Sequence, residues 1–442
     1  MAEATTEKKT LIDALMPYIY KISEPLGRFG QIDFVKAISN GIAGSIGITL
    51  IGSLALVLFL FCSDGQLTET ALLPFMKPYA GQIVLVQSLT LGIIAPYMVI
   101  AIGSEYAFLK GFSRTTGSVG AFLAFIMLNY NGISATAEGA SALPIGNWGA
   151  GGIITAMLAV ALSINIINLC YKRNIRIKLP ESVPPAIADS FSAVIPYGLV
   201  ALTCWFIRTI LNFDIATWIT TVLMPVLGAA DNIFMFTFEQ LLSALLWSVG
   251  LHGGSIPGAV ISPFLTAWDL ENATALISGT PVNELPHIWT TNLSFLCQWP
   301  ASIFPLIILM VKDSKKVPQF KALSAIAIPP AIFSIIEPVL FGLPVMLNPF
   351  LFVPFVLSTT IAAFLTYAAT AIGFVGRLGV ALPWATPCPV VGFLGGAGSI
   401  GGLVWPFLMI GLGLLIYLPF WKVFVDDEVR KAKEREAELE EA

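Results

Sequence analysis

One acidic residue, Glu337, stands alone in an apolar stretch of the chain. The sequence around it reads IIEPVLFGLPVMLNPFLFVPF, and no other Asp or Glu occurs between Asp313 and Asp426. A carboxyl group in such surroundings has to be hydrogen-bonded, neutral or used, because burial of an unpaired charge is costly. We therefore take Glu337 as the first candidate for chemistry, as a group that orients a ligand hydroxyl or accepts its proton.

A histidine occupies a comparable place earlier in the chain. His252 lies in LLWSVGLHGGSIPG, next to Gly253 and Gly254, where an apolar segment is interrupted by Gly and Pro. Ionisable residues in such segments usually mark functional sites. The alternative is a structural histidine bonded to a freed backbone carbonyl. Because Glu337 stands in a second interrupted segment, we favour a functional His252.

Tryptophans and amides in the same half of the chain predict a sugar site. Planar polar groups can hold paired hydroxyls, and aromatic faces can stack on a sugar ring. Any one Trp could equally anchor the protein at the membrane interface. The predicted sugar contacts are Trp247, Gly253, Gly254, Asn292, Gln298, Asn348 and Trp384.

The remaining polar residues in apolar surroundings receive weaker interpretations. His287, in the polar sequence NELPHIWTTN, is predicted to be a solvated loop residue. Arg208 is predicted to reach the interface or to pair with Asp214, and Arg377 could support the site near Trp384. The sequence contains no Walker loop, HExxH motif or cluster of metal ligands. We expect no metal or cofactor, and energy from a gradient or a partner protein.

The composition places these residues in a membrane protein. Of the 442 residues, 56% are hydrophobic and 11% are charged, against roughly 25% charged in soluble domains. A net charge of −4 with basic residues confined to loops indicates no nucleic-acid surface. The N-terminal residues do not resemble a signal peptide, and the five cysteines form no CxxC pair and are predicted to be buried.

Apolar runs predict an all-α polytopic membrane protein with about ten spans. Basic loops mark the cytoplasmic side, and nine spans leave one crossing unaccounted for between Leu251 and Thr291. The Gly- and Pro-rich segment from Leu251 to Trp268, predicted to be a poor continuous helix, supplies it and places both termini in the cytoplasm. The nine spans are Ala37–Phe61, Ile83–Ile102, Val119–Tyr130, Gly151–Cys170, Val194–Leu211, Ile233–Val249, Asn292–Val311, Pro349–Ala371 and Gly402–Phe420.

The interrupted segments define the predicted organisation. Irregular backbone at membrane depth survives where protein or a wet cavity covers it. Two broken segments in one half, Leu251–Trp268 and a predicted re-entrant hairpin that contains Glu337, therefore indicate a binding site near the midplane. We divide the chain into an N-terminal membrane half (1–176), a linker with the fifth span and an amphipathic helix (177–230), a sugar-binding half (231–425) and a charged cytoplasmic tail (426–442).

Four stretches resemble one known family. WSVGLHG, EPVLFGLPVMLNP, LPWATPCPVVGFLGG and IYLPFWKVF occur in this order. Together they resemble the Enzyme IIC membrane component of the bacterial phosphoenolpyruvate-dependent sugar phosphotransferase system, in its lactose/cellobiose/diacetylchitobiose branch. The resemblance covers nearly the whole chain. One position departs from it, since Ser334 stands where the family often has Asn three residues before the Glu.

The resemblance implies a transporter in the bacterial cell membrane that is also part of a phosphotransferase. It implies a homodimer of ten-span subunits, assembled through the N-terminal halves, in which the C-terminal half holds the sugar with two re-entrant hairpins. The sugar taken up would be a β-linked disaccharide such as diacetylchitobiose or cellobiose. The sugar would receive a phosphoryl group from a phosphocysteine on a separate cytoplasmic IIB protein. His252 and Glu337 would lie near the accepting hydroxyl. The main alternative is a gradient-driven secondary sugar transporter that uses Glu337 for proton coupling.

Overall fold

The computed structural model describes residues 32–64, 71–130, 134–135, 141–145, 147–149, 152–180, 183–223, 228–248, 253–343, 345, 348 and 350–441. Helices account for nearly all regular structure in these ranges. A single antiparallel ladder in the described part pairs β1 (Ser134–Ala135) with β2 (Ser141–Ala142).

The first helices form the N-terminal half. They are α1 (Asp33–Gly44), α2 (Ile46–Cys62), α3 (Ala80–Ser88), α4 (Ile94–Leu109), α5 (Arg114–Leu128), α6 (Gly152–Lys172), α7 (Pro185–Trp205) and the short α8 (Ile215–Trp218).

The remaining helices form the C-terminal half. They are α9 (Ile233–Ser248), α10 (Ser255–Ile277), α11 (Gln298–Ser302), α12 (Phe304–Lys312), α13 (Pro318–Ile332), α14 (Glu337–Gly342), α15 (Phe352–Ala371), α16 (Cys388–Val390) and α17 (Ile400–Glu441).

The helices confirm the predicted fold class. Seven helical stretches in the described residues are long and apolar enough to cross a membrane, and α5 and α9 are apolar but shorter. The number of ten spans and the cytoplasmic termini stay predictions. The charged tail is helical as far as Glu441 and continues α17 without a break.

The segment after Gly254 was predicted to be broken, and this prediction is wrong. Residues Ser255–Ile277 form one helix. Pro257 is the third residue of α10, where backbone N–H groups have no partner within the helix, so its missing N–H costs no hydrogen bond. Pro263 removes one internal bond, which a helix packed among its neighbours tolerates. Conversely, the predicted span Ile83–Ile102 is divided by a turn at 89–93 into α3 and α4.

Close helix packing builds the N-terminal half. A methyl group added at Gly103 would lie 2.7 Å from the Ala121 Cβ, and one added at Gly117 would collide with Ala107 and the Gly103 carbonyl. Small residues therefore let α4 and α5 approach through their backbones, as is common between membrane helices. Helices α1, α4, α5, α6 and α7 pack around this contact.

The C-terminal half surrounds α15, which packs against α9, α11 and α17. Helical structure is interrupted between Ile277 and Gln298, between Ile332 and Glu337, and between Ala371 and Ile400. Ser334, in the second interruption, has a left-handed backbone with φ of 63°. The backbone groups freed at the interruptions need other partners, and polar side chains supply many of them.

Candidate functional site

A cavity of 410 Å³ lies where the interrupted segments meet α9 and α10. Its lining combines amides, hydroxyls and a carboxylate with several tryptophans. Such a mixture suits a polar ligand that also has an apolar face. The lining residues include Glu239, Gln240, Ser243, Trp247, Gly254, Ser262, Trp289, Thr290, Thr291, Ser294, Gln298, Trp299, Ser334, Ile336 and Trp384.

Helix α9 supplies the first polar wall. Its lining positions are 239, 240, 243 and 247, which share one face because residues three and four apart are neighbours on a helix. The Gln240 amide nitrogen donates to the Glu239 carboxylate at 2.5 Å. The Gln240 Oε1 atom is buried and has no hydrogen-bond partner among the described residues. It can accept a hydrogen bond from a ligand hydroxyl.

The irregular segment before α11 supplies the opposite wall. Thr290 is 1% exposed, and its hydroxyl has no partner among the described residues. The Gln298 amide donates to the Ser243 hydroxyl at 3.0 Å and so joins the two walls. A buried polar atom without a partner is costly. Gln240 and Thr290 therefore bring an acceptor and a hydroxyl without partners among the described residues to the lining of the cavity.

Aromatic rings form the apolar surfaces of the cavity. Trp247 and Trp299 meet edge to face, with ring centroids 6.4 Å apart. Trp289 packs against Phe236 at 5.5 Å and Trp268 at 5.9 Å. Trp384 is 54% exposed and lies in the irregular segment before α16. Because its ring is not packed on all sides, it can stack on a ligand.

A second chamber of 280 Å³ adjoins the first and shares Ser262, Leu265, Thr291 and Trp384 with it. Its other side is formed by α1 and α2, so both halves of the chain border the site. Asp269 lies in this chamber and accepts hydrogen bonds from the Thr291 backbone N–H, at 3.1 Å, and from the Thr291 hydroxyl. The carboxylate thereby fixes the wall between the two chambers.

Four of the predicted sugar contacts line the main cavity: Trp247, Gly254, Gln298 and Trp384. Gly253 lies behind them. It is buried, and a methyl group there would collide with Trp247 and the Ser243 carbonyl, so glycine permits the turn before α10 to pack directly on the Trp247 ring. Direct contact of these residues with a sugar stays a prediction.

The two predicted asparagines hold backbone instead of lining either cavity. Asn292 is buried, and its side-chain amide exchanges two hydrogen bonds with Leu382, donating to the carbonyl at 3.0 Å and accepting from the N–H at 2.8 Å. Asn348 accepts from the N–H groups of Phe350 and Leu351 at the start of α15. In this arrangement both amides support the site, and their contact with a ligand is untested.

The structure describes the two predicted catalytic residues to different extents. His252 lies outside the described residues. Glu337 is the first residue of α14, and its side chain lies outside the described part of the chain. Ser334 and Ile336, just before it, line the main cavity. The backbone at Glu337 is thus next to the cavity, and the role of its carboxyl group stays a prediction.

Sequence reasoning missed the polar residues of α9. Glu239 and Gln240 stand in the apolar sequence IFMFTFEQLLSALLWS. Like Glu337, Glu239 is a carboxylate in apolar surroundings, so the sequence carried the same signal for it. The hydroxyls of Thr290 and Thr291 carry no such signal, because threonine is common in loops.

Three secondary predictions have clear outcomes. Arg208 pairs with Asp214 at 2.8 Å, as predicted. Arg377 donates to the Leu285 carbonyl and so supports the loop behind the site. His287 is not a solvated residue: its ring lies between two carboxylates, at 3.3 Å from Asp231 and 2.8 Å from Glu271. The predicted solvation is wrong because the loop folds back onto α9 and α10.

The helices and the cavity define a multi-pass membrane transporter for a polar solute, and comparisons with known proteins agree. Residues 39–359 match the family model described as Phosphotransferase system, EIIC. Over 97% of its length the chain is 31% identical to the cellobiose-specific EIIC component of Geobacillus stearothermophilus, covering 96% of that protein. It is also 30% identical to the lactose-specific EIICB component of Staphylococcus aureus strain N315. This match covers 66% of the present chain and 52% of that protein.

A solved structure shares the fold. The crystal structure of the transporter ChbC, the IIC component from the N,N'-diacetylchitobiose-specific phosphotransferase system, is similar with a TM-score of 0.85 at 25% identity. The match covers 95% of this chain and 99% of that one. The chain belongs to the EIIC family of the phosphotransferase system, in agreement with the resemblance seen in its motifs.

Proposed function

We propose that this protein carries a β-linked disaccharide, diacetylchitobiose or cellobiose, across the bacterial cell membrane while the sugar is phosphorylated. The observation that supports this proposal is the main cavity, whose lining includes tryptophans together with Gln240 and Thr290, each of which has a polar atom without a partner among the described residues. Hydroxyl groups match the polar atoms, and a pyranose face matches the rings. Relatives named for cellobiose and diacetylchitobiose support the substrate class.

The proposed phosphoryl donor is a phosphocysteine on a separate IIB protein. A lactose-specific relative is named EIICB, which supports a IIB partner for this chain as well. In the step, the sugar hydroxyl oxygen attacks phosphorus, an O–P bond forms and the S–P bond breaks. The cysteine thiolate leaves on IIB, and the hydroxyl proton passes to the Glu337 carboxylate. Phosphoryl transfer of this kind depends mainly on positioning and charge stabilisation.

The proposed architecture follows from the same interpretation. Both termini are placed in the cytoplasm, where IIB meets the sugar, and His252 orients Glu337 toward the accepting hydroxyl. Two chains pair through their N-terminal halves within the lipid bilayer. Glycine-mediated packing of α4 on α5 supports a rigid N-terminal half, against which the site could be held.

The deciding experiment is uptake of labelled cellobiose and diacetylchitobiose into vesicles that contain the full chain, with ion gradients collapsed. We expect sugar phosphate to appear only when phosphorylated IIB is supplied, and the better substrate to be identified in the same assay. Accumulation of unmodified sugar that needs a proton gradient would contradict the proposal. It would instead assign Glu337 to proton coupling.

A further inference from the structure

A charged cluster lies behind the main cavity and is not explained by the proposed transfer step. The His287 ring lies between Asp231, which precedes α9, and Glu271 on α10, at 3.3 and 2.8 Å. It also stacks on Trp268, with ring centroids 5.2 Å apart and planes at 19°. A protonated imidazole satisfies both carboxylates and gains from the aromatic face.

Asp231 transmits this arrangement to the cavity wall. Its carboxylate accepts the backbone N–H groups of Ile288 and Trp289, both at 3.0 Å, and the Tyr367 hydroxyl at 3.0 Å. Trp289, with the next two residues of the chain, lines the cavity. One carboxylate thus holds the backbone of the wall, and His287 holds that carboxylate.

The other end of the cluster fixes the same loop from α10. The Asn272 side chain donates to the His287 carbonyl at 2.8 Å and accepts from the His287 N–H at 2.9 Å. It also donates to the Leu378 carbonyl at 3.0 Å. Both backbone polar groups of His287 are therefore already hydrogen-bonded. The His287 side chain is the remaining group at this position whose contacts can change.

Both polar walls of the cavity meet in this cluster. Asp231 lies two residues before α9, the helix that carries Glu239 and Gln240. The Asp231 carboxylate is hydrogen-bonded to the segment that carries Thr290 and Thr291. A ligand that bonds both walls needs their separation to be set within a few tenths of an ångström, because hydrogen bonds weaken steeply with distance and angle.

We propose that His287 is a positioning residue. Bridged between Asp231 and Glu271 in its protonated form, it sets the separation of the two sugar-binding walls and thereby the affinity for the sugar. This inference rests on the proposed function, since it assigns a sugar to the cavity. It adds a dependence of sugar affinity on one proton that takes no part in phosphoryl transfer.

The charges that face His287 favour its protonated form. His287 lies in the loop between α10 and the turn at Leu293–Leu296, outside the candidate spans. Burial lowers its pKa, but the hydrogen bonds and charges of Asp231 and Glu271 outweigh burial and raise it to about 9. The charge of His287 acts on Asp269 of α10, Tyr367 on α15 bonds Asp231, and Arg377 acts on Tyr367.

The test measures sugar affinity by the fluorescence of the cavity tryptophans, and the KM and kcat of phosphorylation with phosphorylated IIB, between pH 6.5 and 10. In the unsubstituted chain we expect the sugar Kd and KM to rise as the pH passes about 9, with kcat changing little. The His287→Gln variant should have a Kd raised roughly tenfold or more at pH 7, the effect of losing a charge-assisted hydrogen bond. Its Kd should show no change through pH 9.

The conservative variant His287→Lys should recover most of the affinity and move the alkaline transition upward, because an unperturbed lysine has a pKa near 10.4. Glu284→Gln serves as the control, since Glu284 is exposed in the same loop. A Kd of His287→Gln equal to that of the unsubstituted chain, or an alkaline transition that persists in it, would overturn the proposal. If that variant does not fold, the pH titrations of the unsubstituted chain and of His287→Lys decide.

Failure of the proposed function gives a different pattern. If phosphorylated IIB transfers nothing, no variant has a kcat, yet the fluorescence titrations still report sugar affinity and its pH dependence. If transfer occurs and the titrations show no transition near pH 9, the proposed function stands and the role of His287 is refuted.

Discussion

The two halves of the protein use different means to stay folded. In the N-terminal half, α4, α5 and α6 are uninterrupted helices that satisfy their own backbones and pack through small residues such as Gly103 and Gly117. In the C-terminal half, irregular segments are held by side chains bonded to backbone, among them Asp231, Asn272 and Asn292. The close helix packing of the N-terminal half provides no polar groups that could recognise a solute. In the C-terminal half, irregular backbone and polar side chains create the cavity.

The contrast indicates where each function can be changed separately. A substitution in the contact between α4 and α5 should act on assembly and leave no specific mark on sugar binding, because neither helix lines either chamber. In the C-terminal half the same side chains support the fold and shape the site, so stability and affinity should change together except at side chains that bond only the ligand.

The largest effect on stability is expected from placing a large side chain in the glycine contact between α4 and α5. Gly117→Leu places a side chain where even a methyl group collides with Ala107 and the Gly103 carbonyl. We expect loss of the folded protein from detergent extracts or a large fall in Tm, since overpacking costs about 1–3 kcal/mol and occasionally more. Gly47→Leu is the control, because a methyl group at Gly47 meets nothing within 4 Å. Equal Tm values for both variants would show that this contact does not hold the half together.

The next effect concerns chemistry at the edge of the cavity. Glu337→Gln keeps the shape of the side chain but cannot accept a proton at neutral pH. If Glu337 acts as the base, phosphorylation by phosphorylated IIB should fall about 10²–10⁴-fold, while tryptophan fluorescence still reports sugar binding. Equal losses of binding and phosphorylation would make Glu337 a binding residue only.

A smaller effect is expected where a side chain replaces a missing backbone partner. Asn292→Leu removes both hydrogen bonds to Leu382 and leaves a partly buried carbonyl and N–H without these partners. Each unsatisfied group costs about 1–3 kcal/mol, so Tm should fall. Sugar affinity should fall with it, because Leu382 lies two residues before Trp384. Unchanged stability would show that the segment before α16 is held by other contacts.

Much of the fold could be predicted because apolar runs report helices directly. The predicted span Ile233–Val249 differs from α9 by one residue. The predicted spans Gly151–Cys170 and Pro349–Ala371 agree with α6 and α15 within a few residues. Helix α10 was mispredicted because a proline in the first turn and a proline that breaks a helix look alike in sequence. The pattern contains no information on which end of the helix Pro257 occupies.

The site was predictable only in part, because a residue type does not show which way its polar atoms point. Trp247 and Gln298 line the cavity. Asn292 was predicted by the same reasoning, but its side-chain amide is hydrogen-bonded to the backbone of Leu382. His287 looked like a loop residue because its carboxylate partners are 16 and 56 residues away. Contacts of that range follow from the fold and not from local sequence.

The smallest effect on stability is expected at Gln240, and it separates the two kinds of polar residue most sharply. Its Oε1 atom has no partner among the described residues, but its amide nitrogen donates to the Glu239 carboxylate. Gln240→Leu therefore removes an unsatisfied buried atom and also one hydrogen bond. These two changes have opposite effects on stability, so we expect Tm to change little. Sugar affinity should nevertheless fall, by about 5- to 30-fold if one or two hydroxyl contacts of roughly 1–2 kcal/mol are lost. The measurements are a thermal melt and a fluorescence titration on the same sample. A fall in Tm with no change in affinity would place Gln240 with Asn292, as a support of the fold, and the polar face of α9 would no longer mark the sugar site.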